Sequence, residues 1–282
     1  MNITADVCPL CLSSGLFQSG KEFLRCRDCG AVINLRYAPL EYNDSYFTEE
    51  YRNQYGQTYF EDFENIYNLS RRRVANIIKI LTKTGKLRGG QTLPESLSLL
   101  DIGSAAGFFL KCARDYGFSY VKGVEISAFA AQYAKDRFGF DVEVAPFTQA
   151  DIGINYDVIT AWYYIEHSPD PLCDFKRIFY SLKRGGIFAF SAPSVFGPLF
   201  LFNRKKWEDS HPVDHFVDFT PRTAVIILKK TGFRRVAVRA AGIHPERILS
   251  PSSVFYPVFS YLYTRIAKAL KFSDTIEVYA VK

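Results

Sequence analysis

The sequence predicts an α/β chain: a seven-stranded, mostly parallel sheet with helices on both faces, preceded by a small cysteine-bearing ribbon. Three observations carry this. From residue 97 onward, apolar runs of strand length alternate with segments of helical period, the signature of a parallel sheet. The first run ends in Asp101-Ile102-Gly103-Ser104-Ala105-Ala106-Gly107, a turn of small residues at the carboxyl end of a strand, where open α/β sheets bind their ligands. Two Cys-x-x-Cys pairs stand within the first 30 residues.

In chain order, the ribbon comes first. Cys8-Pro9-Leu10-Cys11 and Cys26-Arg27-Asp28-Cys29 give C-x2-C-x14-C-x2-C. Each pair forms a tight knuckle that aims two thiolates at one point. Two knuckles make a tetrahedral four-sulfur site suited to zinc. With all four ligands supplied by protein, the site is expected to be structural. Phe17, Phe23 and Leu24 would cover a ribbon too small to fold without its metal.

Residues 31–65 are rich in tyrosine, phenylalanine and acids with no clean period; they read as short helices or aromatic packing. Helical spacing returns over 66–82 at Val74, Ile77, Ile78 and Leu81. Arg71-Arg72-Arg73 within it reads as a solvated helical face. Lys86 to Glu95, with Gly89, Gly90 and Pro94, reads as a linker.

The sheet region follows, with strands expected at 97–102, 120–125, 141–145, 156–163 and 187–191. Ser127 is placed to cap the helix that carries Phe129, Ala130, Tyr133, Ala134 and Phe138. Asp170-Pro171 starts another, with Gly185-Gly186 as its stop, and Thr220-Pro221 starts a third that Gly232 ends. Residues 235–240 and 275–281 are the last strands, the final one inserted at the sheet edge. The chain thus divides into a ribbon over 1–40, a helical and aromatic lid and linker over 41–95, and a sheet domain over 96–282. Insertions at about 192–219 and 241–274 break the alternation and are candidate lids. The second is aromatic and basic. A membrane-surface contact through 250–272 and a helix packed on the core are both open there.

Composition bounds the function. At 48% hydrophobic and 16% aromatic the chain has ample core and is not disordered. A net charge of +6 permits an anionic partner without demanding one. Met1 to Val7 lacks a secretory pattern, and no apolar run is long enough to span a bilayer. With paired cysteines of zinc spacing, this points to the reducing cytoplasm.

Glu125 ends the second strand of the sheet, about 20 residues after the glycine turn, where an acid can accept both ribose hydroxyls of a nucleoside. Together, Leu100–Gly107, Gly123-Val124-Glu125-Ile126-Ser127, Tyr156-Asp157-Val158-Ile159 and Ile165-Glu166-His167-Ser168-Pro169-Asp170-Pro171 resemble the class I S-adenosylmethionine-dependent methyltransferases, over about 97–240. The last of these, with His215 ahead of Phe219-Thr220-Pro221, is similar to the subgroup acting on small molecules, quinones and sugars. Some sugar methyltransferases of this family also carry an N-terminal four-cysteine zinc module, which 8–29 resembles.

The resemblance implies a Rossmann-like sheet and a set of roles. Asp101, Gly103 and Gly107, with Ser104 and Ala105, would line the methionine part of S-adenosylmethionine. Glu125 would hold the ribose, with Ile126 in the cofactor-binding set. Phe147 would face the adenine, and Trp162 to Tyr164 would border the methyl group. Two positions depart from the family: Ala105 stands where glycine is usual, and no acid follows the third strand at Ala145-Pro146, where Asp151 could substitute.

An oxygen or carbon acceptor must lose a proton, a task that suits histidine near neutral pH. Of the four histidines, His167 and His215 are the base candidates by position; a structural hydrogen-bonding role is the alternative for each. A dinucleotide oxidoreductase would need G-x-G-x-x-G, and the turn offers Gly-x-x-x-Gly instead. An RNA methyltransferase gripping its substrate with the ribbon, and a non-catalytic cofactor-binding scaffold, are the further alternatives. Few cations on the ribbon (Lys21, Arg25, Arg27) argue against nucleic acid. The reading is methyl transfer to an oxygen or carbon of a small molecule or sugar or glycan intermediate, with structural zinc.

Overall fold

A computed structural model describes residues 6–40, 42–87 and 97–282. The linker expected over 86–95 lies, beyond its first two residues, outside the described residues. Its strands are β1 (Leu16–Gln18), β2 (Phe23–Cys26), β3 (Val32–Asn34), β4 (Ser98–Ile102), β5 (Tyr120–Glu125), β6 (Val142–Val144), β7 (Tyr156–Trp162), β8 (Leu182–Pro193), β9 (Val217–Asp218), β10 (Arg235–Ala241) and β11 (Thr275–Val281). The helices are α1 (Tyr51–Tyr55), α2 (Phe63–Lys83), α3 (Phe108–Asp115), α4 (Ala128–Phe138), α5 (Pro171–Ser181), α6 (Pro198–Phe202), α7 (Arg204–Asp209), α8 (Pro221–Thr231) and α9 (Tyr256–Leu270).

Seven strands form the expected mostly parallel sheet, in the order β10-β11-β8-β7-β4-β5-β6. The last strand of the chain lies between β8 and the edge strand β10. β4 is central and pairs in parallel with both β5 and β7, which explains why Leu99, Leu100 and Ile102 are all buried. Its register sets Asp101 opposite Gly123 on one side and Thr160 on the other.

The chain splits into two compact units: Met1–Pro39, Tyr163–Lys176 and Phe190–Ala280 form one, and Leu40–Trp162, Arg177–Ala189 and Val281–Lys282 the other. In the second unit, α2 buries Val74, Ile77 and Leu81, each worth about 1.5–3 kcal/mol when removed from water. The aromatic segment before it packs on α3 and α4: Tyr59 stacks on Phe108 at 5.3 Å, and Phe60 lies 4.3 Å from Tyr133. Ser127 caps α4, its Oγ accepting from Ala130 N at 3.3 Å.

In the first unit, the ribbon sheet has the order β1-β2-β3-β9. Its fourth strand comes from 217–218, with Val32 opposite Asp218 and Ile33 opposite Val217. Phe23, Val32, Val195, Phe200 and Trp207 share one core. Val195, Phe200 and Trp207 of the segment 192–219 thus pack against Phe23 and Val32 of the ribbon. Asp170 accepts from Cys173 N at 3.0 Å to start α5, and Thr220 and Thr223 form a reciprocal capping box on α8.

The largest boundary difference from expectation lies between α5 and β8. α5 stops at Ser181, and β8 begins at Leu182 rather than at 187. Gly185 and Gly186 lie inside the strand because their backbones pair with the last residue: Gly185 N donates to Lys282 O, and Lys282 N to Gly186 O, both at 3.0 Å. Gly185 takes φ +73°, which glycine alone adopts without strain.

Candidate active site

The glycine turn after β4 is built from left-handed backbone. Gly103, Ala105 and Gly107 have φ of +67°, +45° and +77°. Ala105 is the strained member, since a Cβ in this region costs about 1–2 kcal/mol. That is the physical reason a glycine suits the position. What holds Ala105 there is its N–H, which donates to Glu125 Oε2 at 2.7 Å. Ser127 N donates to the other carboxylate oxygen at 2.9 Å. Glu125, at the end of β5, is thus clamped by backbone from both sides. Burial raises its pKa against the pull of these N–H groups. Gly123 cannot carry a side chain, because a Cβ would sit 2.5 Å from Ser104 Oγ. That buried hydroxyl has no hydrogen-bond partner among the described residues.

Asp101 is 2% exposed, and Thr160 Oγ1 donates to its Oδ1 at 2.6 Å. Burial pushes its pKa up to about 8, against the Thr160 hydrogen bond and the charge of Arg73. Arg73 is a correction to the sequence reading: of the three arginines read as a solvated face, it is the buried one, 5% exposed. Its guanidinium lies 4.2 Å from the Trp162 ring, and Phe109 covers Trp162 at 5.2 Å. Tyr59 is a further residue the sequence did not single out. Burial, then the charges of Tyr46, Glu125 and Asp101, raise its pKa. Ile126, next to Glu125, is 54% exposed. Phe147 is buried under the Arg177 guanidinium, 4.8 Å away, and Arg177 donates to the carbonyls of Phe147 and Ala150. Asp151 is exposed at the surface.

The other unit holds a histidine cluster. His167 ends a 3-10 turn, Ile165–His167, and its Nδ1 lies 2.9 Å from Asp214 Oδ2. His215 meets it edge-on at 4.7 Å, and His211 lies 5.6 Å from His215. His211 Nε2 pairs with Asp218 Oδ2 at 2.8 Å, both side chains being buried. Glu166 is fully buried, and neither carboxylate oxygen has a hydrogen-bond partner among the described residues. Burial pushes its pKa up to about 7.

The two base candidates are driven apart. Burial disfavours the charged form of His167, but the Asp214 hydrogen bond and the Glu166 carboxylate hold its pKa above the ordinary histidine value. Burial, and next the charge of His167, push His215 down to about 4. The ribbon braces both: Tyr37 Oη donates to His167 O at 2.9 Å, and Asn34 Nδ2 donates to His215 O at 3.0 Å. The other members, His211, Asp214 and Asp218, went unread because only the folded chain gathers them.

The four cysteines converge as their spacing predicts. All are buried, and their sulfurs lie within 4.8 Å of one another. Cys8 and Cys29 Sγ are 3.7 Å apart, and Cys11 and Cys26 Sγ 3.5 Å. These are far from a disulfide bond of about 2.05 Å. They are close to the edge of about 3.8 Å that a tetrahedron with metal–sulfur bonds of about 2.3 Å would have.

With this geometry in hand, known proteins offer a comparison. The family model described as a methyltransferase domain matches residues 70–238, more than half of the chain. An S-adenosylmethionine-dependent methyltransferase from Archaeoglobus fulgidus superposes with a TM-score of 0.57 at 17% identity, covering 85% of this chain and 100% of that one. A second such enzyme, from Thermotoga maritima, gives 0.53 at 17% identity, over 84% and 99%. At that identity they speak for the fold. No curated protein sequence matches the chain.

Proposed function

The chain belongs to the methyltransferase-domain family and is an S-adenosylmethionine-dependent methyltransferase; from that premise we propose that it methylates an oxygen or carbon of a small molecule or a sugar or glycan intermediate. The single observation that carries the assignment of the cofactor end is Glu125. Its carboxylate is fixed at the strand end by two backbone N–H groups before any ligand arrives, and each oxygen keeps a lone pair for a ribose hydroxyl.

The residues present fit the cofactor: a left-handed small-residue turn, a buried Ser104 hydroxyl without a partner among the described residues, and two buried acids. When bound, S-adenosylmethionine supplies a methyl group already electrophilic on its sulfonium. Asp101, Gly103, Ser104, Ala105 and Gly107 would line its methionine part. Ile126 would offer an apolar face to the adenine and Phe147 would stand behind it, while Trp162 would border the methyl. Alignment of an acceptor with water excluded can contribute up to roughly 7–11 kcal/mol.

The acceptor's proton goes to His167 in this reading. Asp214 fixes the ring through Nδ1, so Nε2 is the basic nitrogen of the neutral ring, and the raised pKa makes His167 the stronger base of the pair. His215 stays neutral and acts as a hydrogen-bonding neighbour. Zinc would be held by Cys8, Cys11, Cys26 and Cys29 as a structural ion, keeping the ribbon that braces the two histidines. Against an RNA substrate, two of the ribbon's three cations lie over rings: the Arg27 guanidinium 4.6 Å from Phe17 and that of Arg25 5.8 Å from Phe200.

Calorimetric titration with S-adenosylmethionine, S-adenosylhomocysteine and NADH tests the cofactor assignment. Binding of the first two near micromolar Kd, with none of NADH, is expected. A screen of small hydroxylated and glycosylated acceptors, read by transfer of the labelled methyl, then tests the substrate class; transfer to RNA alone would overturn it.

A further inference from the structure

The helix α9 is apolar on two faces, and one of them faces solvent. Its inner stripe, Tyr256, Phe259, Tyr263 and Ala267, is buried or half-buried. The outer stripe runs Phe255, Val258, Leu262, Ile266, Leu270, at helical steps of three and four, and Phe255, Val258 and Ile266 are 74%, 66% and 57% exposed. Phe202, at the end of α6 and 73% exposed, extends this surface through Phe272, whose ring lies 6.0 Å away. An open apolar surface of this length marks an interaction site.

Charge decides what covers it. Between Glu246 and Asp274 the sequence has no acid and carries Arg247, Arg265, Lys268 and Lys271. Arg247 is engaged by Asp274. Lys268 and Lys271 are exposed and make no ion pair among the described residues, and Arg265 donates to Tyr261 Oη at 2.9 Å along the outer face. Two-fold pairing with a second copy would bring these like charges together with no acid of the element to offset them. A neutral apolar partner would leave them unused. No helix among the described residues is long and apolar enough to cross a membrane. We propose that the outer face of α9 lies flat on an anionic lipid surface, with Phe255, Val258, Leu262 and Ile266 inserted at the headgroup boundary and Arg265, Lys268 and Lys271 on the lipid phosphates.

This stands independently of which acceptor is methylated. The test is flotation of the full-length protein with vesicles of phosphatidylcholine alone and of phosphatidylcholine with equimolar phosphatidylglycerol. Two variants accompany it: Leu262→Glu with Ile266→Glu, and Arg265→Gln with Lys268→Gln and Lys271→Gln. All five positions are on the exposed face, so circular dichroism and S-adenosylmethionine binding are expected to match the parent. The protein should float with the anionic vesicles and release in high salt. Loss of three cations should weaken the partition about a hundredfold, since each is worth about fivefold near such a surface. The double glutamate variant should stay with the buffer. Equal binding to both vesicle types, no binding, or binding untouched by either variant would overturn the proposal. So would a dimer in light scattering that the glutamate variant dissociates, which would make a second copy the occupant.

Discussion

The two candidate chemical regions are built in opposite ways. The acid turn of one unit is made of backbone: three left-handed residues within five positions, and a carboxylate held by the N–H groups of Ala105, 20 residues before it, and of Ser127, two residues after it. The histidine cluster of the other is made of side chains, His167 with Asp214 47 residues on and His211 with Asp218 seven residues on, braced by Asn34 and Tyr37 of the ribbon. A backbone-built site depends on local spacing and tolerates change elsewhere. A side-chain-built site depends on every element that supplies it, which gives the ribbon a structural role.

The largest effect should come from the proposed zinc site. Cys8→Ser with Cys26→Ser, or chelation, removes a structural site of about 10–16 kcal/mol apparent binding energy. Methyl transfer should be abolished as the His167 and His215 supports go, while S-adenosylmethionine titration still shows binding. Joint loss of both would break the division between the regions. His167→Ala comes next, with turnover falling at least about a hundredfold on an acceptor found by screening; unchanged turnover would remove it as the base. Glu125→Ala should weaken S-adenosylmethionine affinity about ten- to a hundredfold, as charge-assisted hydrogen bonds are worth about 1.5–3 kcal/mol each.

Asp214→Asn sharpens the comparison through pH. A base must be unprotonated, so turnover in the parent should rise with pH through a His167 pKa lying above the ordinary value. Removing the Asp214 charge lowers that pKa, so the rising limb should move to lower pH with a smaller maximal rate. An unmoved limb would assign the titration elsewhere. The smallest effect belongs to Ala105→Gly. Relief of the left-handed strain, partly offset by glycine's extra chain entropy, should stabilise by about 0.5–1 kcal/mol, a Tm rise of about 2 °C. A lower Tm would show that the Cβ packs usefully.

The legibility of the chain follows the same division. The strand-turn-helix at 98–115, the acid at 125 and the caps at Ser127, Asp170 and Thr220 could be read because each depends on residues within a few positions, or on a family spacing. The cysteine knuckles were legible for the same reason. Arg73 was read as solvated because its neighbours are; only its approach to Trp162 and Asp101 reveals it. Thr160 and Tyr59 depend on sheet register and on aromatic packing over α3. β9 has two residues, too few to show a period, and exists because β3 had an edge to pair. Gly185-Gly186 looked like a helix stop because glycine in a strand is unusual until the partner backbone is known.

The central proposal is that Glu125 serves cofactor binding and His167 proton removal, each in its own region. Its most direct measurement needs no acceptor: S-adenosylmethionine affinity by calorimetry for the parent, Glu125→Ala and His167→Ala, each with its fold checked by circular dichroism. The prediction is a loss of at least about tenfold for Glu125→Ala and a Kd within about twofold of the parent for His167→Ala. Equal losses in the two variants, or an unchanged Kd in Glu125→Ala, would contradict it.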